Sequence, residues 1–102
     1  MTADDADILV TQFDQRTKVR LGQTIGIKPM RDGTRWQVSY SSDHLRLLTP
    51  SDRIETPGPG GWVWRTVGEG DTDIVFTMVP ECPRPPCGPN VMQMTAPLEV
   101  TK

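Results

Sequence analysis

Arg35-Trp36-Gln37-Val38-Ser39-Tyr40-Ser41 decides the fold class. Apolar and polar residues alternate along it with a period of two. Trp36, Val38 and Tyr40 therefore fall on one face of an extended strand, and Gln37 and Ser39 on the other. The same signature recurs on both sides. Ile8 to Val10 is a short apolar run. Thr17-Lys18-Val19-Arg20-Leu21 alternates and stops at Gly22, and Thr24 to Lys28 is closed by Pro29. Leu45 to Thr49 is closed by Pro50, and Trp62 to Val67 is rich in strand-forming residues. Thr72 to Val79 places Ile74, Phe76 and Met78 on one face. Val91 to Thr95 and Leu98 to Thr101 finish the chain, with Pro97 read as a break between them.

No segment keeps a helical period over about 11 residues, and ten prolines would interrupt most candidates. About seven or eight short strands with turn residues between them predict an all-β, immunoglobulin-like sandwich of antiparallel strands. The chain has 102 residues, enough for one domain and one core. Residues 8–102 are expected to form that domain. Residues 1–7, polar and acidic at Asp4, Asp5 and Asp7, are expected to be a disordered tail. A monomer is expected.

The formal net charge is −2 with both signs interspersed, which argues against a nucleic-acid partner. No apolar run of about 18 residues is present, so no membrane span is expected. The N-terminus lacks a basic region followed by an apolar stretch, so it does not read as a signal peptide. A cytoplasmic protein and a mature exported domain both fit.

Catalytic chemistry finds little support. His44, the one histidine, stands beside Asp43 in a turn-like segment and reads as a solvated loop residue. No nucleophile elbow accompanies it. Asp71, Asp73 and the N-terminal aspartates read as turn and tail residues, not as a converging acid pair. Two cysteines and one histidine are too few for a zinc site, so neither metal nor cofactor is expected, and the chain does not read as an enzyme. Gly58-Pro59-Gly60-Gly61 lacks the Lys-Ser/Thr ending of a phosphate loop and reads as a turn, or as a platform for close backbone approach.

Cys82 and Cys87 flank Pro83-Arg84-Pro85-Pro86. A disulfide would close a small ring worth about 2 kcal/mol in the chain-entropy model and would place the protein in an oxidising compartment, secreted or periplasmic. Two free thiols are the alternative. Trp36, Trp62 and Trp64 read as core residues, with one near a loop available as an interface anchor.

Three loops rich in Gly and Pro stand out: 29–34, 55–61 and 80–90. Alternate connections of a sandwich gather at one end, so the three are expected to form a pre-ordered rim. Their order resembles the chagasin family of cysteine-protease inhibitors, with the likeness running from about Thr17 to the end. Gly58, Gly60 and Gly61 stand where that family has its Gly-x-Gly-Gly loop. Gly33 and Trp36 match the end of its first loop and the following Trp, with Pro29-Met30-Arg31-Asp32 in place of Asn-Pro-Thr-Thr. Arg84-Pro85 match its third loop, where Pro86 replaces Trp. Leu21-Gly22-Gln23-Thr24-Ile25 is similar to an early strand of the family.

The resemblance implies reversible blockade of the active-site cleft of papain-like cysteine proteases. Met30, Arg31, Asp32 and Gly33 would occupy the centre. Gly58, Pro59, Gly60 and Gly61 would lie against one wall, and Arg84, Pro85 and Pro86 against the other. A module that kept the fold without inhibiting is the alternative.

Overall fold

The computed structural model describes residues 2–13, 15–29, 35–79 and 93–102. Eight strands lie within them: β1 (Ile8–Leu9), β2 (Thr17–Arg20), β3 (Thr24–Ile27), β4 (Arg35–Ser39), β5 (Leu45–Leu47), β6 (Trp62–Thr66), β7 (Gly70–Val79) and β8 (Gln93–Thr101). They form two four-stranded sheets, β1-β3-β6-β5 and β2-β8-β7-β4. The alternation in the sequence dictates this packing. Ile25, Ile27, Leu45, Trp62 and Trp64 from the first sheet meet Val19, Trp36, Ile74, Phe76, Met94, Ala96, Leu98 and Val100 from the second. The architecture is the immunoglobulin-like sandwich expected from the sequence.

Aromatic rings dominate the interior. Trp62 lies 4.7 Å from Phe76 and 5.9 Å from Trp36, and Trp64 lies 6.0 Å from Phe76 and 5.7 Å from Tyr40, measured between ring centroids. Pairs of this kind add about 0.5–1.5 kcal/mol each beyond the area they bury. All three tryptophans are fully buried, so none is available as an exposed interface anchor. Burial has a polar side. The Trp62 indole donates to the Ile54 carbonyl at 2.7 Å, whereas those of Trp36 and Trp64 have no partner among the described residues.

Three expectations are corrected. Pairing is not wholly antiparallel: β1 runs parallel to β3, and β2 parallel to β8. The chain leaves the first sheet after β1, forms β2 at the edge of the second, and returns as β3, so β1 and β3 enter their sheet in the same direction. Pro97 does not break the last strand. Its ladder with β7 runs from Gln93 to Val100, with Pro97 opposite Asp73. The β2 ladder begins only at Leu98, so at Pro97 that side of β8 is unpaired and a residue without N–H is tolerated. The N-terminal residues are not a loose tail. Ala3 to Asp5 form a 3-10 turn with Ala3 fully buried. Asp7 and Thr24 exchange hydrogen bonds, each backbone N–H donating to the other's side chain at 2.9 Å.

Candidate functional site

The strand ends that flank the three loops lie at one end of the sandwich. In the first sheet Ile27, the last residue of β3, is paired with Trp62, the first of β6. In the second, Arg35 opens β4 opposite Val79, the last residue of β7, and Gln93 opens β8 opposite Thr77. Two contacts join the sheets there. The Trp36 N–H donates to the Glu55 carbonyl at 2.9 Å, and the Trp36 and Trp62 rings meet edge to face. An exposed ion pair of 3.0 Å between Arg35 and Glu55 closes the same junction.

Met30, Arg31, Asp32 and Gly33 lie outside the described residues, as do Arg84, Pro85, Pro86 and the cysteines at 82 and 87. The glycine loop is described throughout. It leaves a 3-10 turn at Ser51–Arg53, passes Ile54 and Glu55, and turns again at Gly58–Gly60. Pro57 is buried and Pro59 is exposed, so the loop is rooted on one proline and presents the other. The Gly61 N–H closes the turn onto the Gly58 carbonyl at 3.2 Å.

Two of its glycines are required by geometry. Gly58 has φ of 69°, and a side chain there would meet nothing within 4 Å. Gly61 has φ of 70° with ψ of −158°, a region that is essentially glycine-only. A Cβ on Gly61 would collide with the Ile27 carbonyl and lie 3.1 Å from the Lys28 Cα and 3.2 Å from the Ala3 Cβ. Gly61 is therefore buried against β3, while Gly58, Pro59 and Gly60 form the accessible tip. The tip offers backbone and almost no side chain. Such a surface can approach another chain closely and recognises shape and main-chain hydrogen-bonding groups.

The N-terminal turn also belongs to this end, which the sequence reading missed. The Ala3 backbone lies on Gly26, where an added Cβ would be 2.6 Å from the Ala3 Cα. Asp4 pairs with Lys28 at 2.8 Å. The Thr2 Cγ2 lies 3.4 Å from the position of a Cβ on Gly60. The acidic composition of the segment hid this. The one readable cue was Thr2 and Asp5 at the spacing that closes a turn.

The other candidates do not form a reactive centre. The His44 Nδ1 lies 3.0 Å from the Ser41 hydroxyl within one turn, and its carbonyl accepts the Val67 and Gly68 N–H groups. Asp71 and Asp73 lie on β7, Asp71 in an ion pair with Arg16 at 3.2 Å. Among the described residues no three His, Cys, Asp or Glu side chains gather as metal ligands.

The fold has a counterpart among solved structures. A cysteine protease inhibitor, EhICP2, from Entamoeba histolytica superposes with a TM-score of 0.64 at 14% sequence identity, over 92% of this chain and 95% of that one. At that identity the likeness is one of fold. Amebosin, solved in solution, aligns over 99% of this chain and 95% of its own, with a TM-score of 0.42 and 16% identity, too loose a superposition to carry an argument. No family model and no curated protein sequence matches the chain.

Proposed function

We propose that the chain is a chagasin-like reversible inhibitor of papain-like cysteine proteases that blocks the active-site cleft with three loops. The observation that carries the reading is the convergence of the strand ends at 27, 35, 62, 79 and 93 on one end of the sandwich. The fold shared with a protease inhibitor supports it. In this reading Met30, Arg31, Asp32 and Gly33 face the catalytic thiol. Gly58, Pro59 and Gly60 line one wall of the cleft through their backbone. Gly61, expected beside them, is buried and seats the turn on β3 instead. Arg84, Pro85 and Pro86 line the other wall. A disulfide between Cys82 and Cys87 would stiffen the third loop, and titration of thiols with and without reductant tests for it.

The test of function is titration against several papain-like proteases. Competitive, reversible inhibition is expected. Absence of inhibition at micromolar concentrations across the set refutes the proposal and leaves an immunoglobulin-like interaction module. Gly58→Asn sharpens the test, because asparagine tolerates positive φ and its side chain would project into open space. It should weaken inhibition about tenfold or more while leaving folding nearly unchanged, since blocking one contact costs on the order of 1.4 kcal/mol.

A further inference from the structure

We infer that the Thr2–Asp5 turn is a brace that positions the glycine loop and the root of the first loop, so the N-terminal residues set the shape of the binding end. The inference rests on the reading of residues 58–61 as a contact loop for its functional half only. Its structural half stands on four contacts.

The first is the Ala3 backbone on Gly26. The strand has no Cβ at that position, and even alanine would overlap the turn. The second is the Ala3 methyl, fully buried and directed at Gly61, whose backbone has no room to move toward β3. The third is Thr2 against Gly60, which supports the accessible tip from the side. The fourth is the Asp4–Lys28 ion pair, which holds the segment leading into the first loop. The turn is itself latched. The Thr2 N–H and hydroxyl both donate to the Asp5 carboxylate at 3.0 Å, and the Asp5 N–H returns to the Thr2 carbonyl at 3.0 Å. At the other end of β3 the Asp7–Thr24 exchange fixes where the segment leaves the sheet. A glycine-rich loop has no side chains of its own with which to fix its position. Here the neighbouring segment supplies the packing.

Hydrogen exchange on the full chain tests the brace directly. Two variants are compared with it: deletion of residues 2–5, and Asp5→Ala, which unlatches the turn without touching the sheets. Deletion should raise the exchange rates of the Gly60 and Gly61 amides by about tenfold or more, and Asp5→Ala should raise them in the same direction, since local opening is governed by local contacts. The Ile74 and Phe76 amides, in the centre of β7, should keep their protection. Unchanged rates at Gly60 and Gly61 overturn the inference. So does a rise shared equally by Ile74 and Phe76, which reports global loosening. Should the deletion fail to fold, Asp5→Ala decides alone by the same criterion. Against a protease that the intact chain inhibits, deletion should weaken inhibition about tenfold with a faster off-rate. If the intact chain inhibits none, the proposed function fails while the exchange data still judge the brace.

Discussion

Alanine substitution at the three glycines of the 58–61 loop should give three different outcomes, because the residues occupy different environments. At Gly60 the backbone is not in the left-handed region, and a Cβ would sit in ordinary contact with Thr2, 3.4 Å from its Cγ2. Ala also restricts the unfolded chain, so Gly60→Ala should change stability by about 0.5 kcal/mol or less in either direction. At Gly58 the space is open but φ is 69°, so the penalty is conformational alone, about 1 kcal/mol. At Gly61 two costs add. The backbone conformation is essentially restricted to glycine, worth about 1–3 kcal/mol. The methyl would also overlap the Ile27 carbonyl and press on the Ala3 methyl, both in buried surroundings. A total of about 3 kcal/mol is expected, a large share of the 5–15 kcal/mol that holds a small domain together. Urea unfolding of the three variants, with m-values compared, measures the series. A Gly61→Ala variant as stable as Gly60→Ala would show that the loop is not seated on β3 and Ala3, and would refute the geometry on which the site is built.

Other substitutions test the same end and its opposite. Trp62→Phe removes the 2.7 Å hydrogen bond to the Ile54 carbonyl and part of a fully buried ring, and should cost about 2–3 kcal/mol in urea unfolding. Thr66→Val, at the end remote from the loops, removes a buried hydroxyl that accepts the Gly22 N–H at 2.9 Å and faces the Arg20 and Gln23 carbonyls at 2.9 and 3.0 Å. It should cost about 1–3 kcal/mol by the same assay, without altering the exchange of the Gly60 and Gly61 amides. Acidification should loosen the N-terminal turn. The Thr2 backbone N–H and then its hydroxyl lower the Asp5 pKa from its ordinary 3.8, so the carboxylate's contribution is fully present above that value and is lost as pH falls through the depressed one. The Thr2 amide resonance should therefore move only below about pH 4, and Asp5→Asn should abolish the transition.

The sandwich was legible where side chains alternate in an unbroken run. The strands around Trp36 and Phe76 lie where their period of two put them, the strand at Trp62 lies where its strand-forming residues put it, and a period of two also runs through Met94, Ala96, Leu98 and Val100. Pro97 hid that last pattern, because a proline reads as a break until it is known which side of the strand lacks a partner. The parallel edge pairings were not legible at all. They depend on which sheet the chain joins after residue 10, a long-range choice that no local pattern encodes. The turn at Gly58–Gly61 was legible from composition, but not its support. Nothing in an acidic N-terminus announces that one small residue within it is fully buried, and Ala3 is identified only once Gly26 and Gly61 are brought beneath it.

That support bears on how a nearly side-chain-free loop could bind in the role proposed for it. Ordering one residue's backbone costs about 1–2 kcal/mol, and glycine stands at the unfavourable end. If the four residues 58–61 were loose until they met a partner, about 4–8 kcal/mol would be subtracted from binding, equivalent to roughly three to six powers of ten in affinity. In the folded chain the ordering is already done. Trp62, bonded to Ile54, anchors the loop from the core side, and Glu55 is tied to Trp36 across the sandwich. Gly61 is wedged against Ile27, and Thr2 and Ala3 hold the loop from outside. Except for Thr2 on Gly60, these contacts lie away from the exposed tip, so in the proposed role the residues that support affinity need not be those a partner touches. Substitutions in the Thr2–Asp5 turn should therefore weaken binding through the loop they hold, and mapping a partner's footprint alone would miss them.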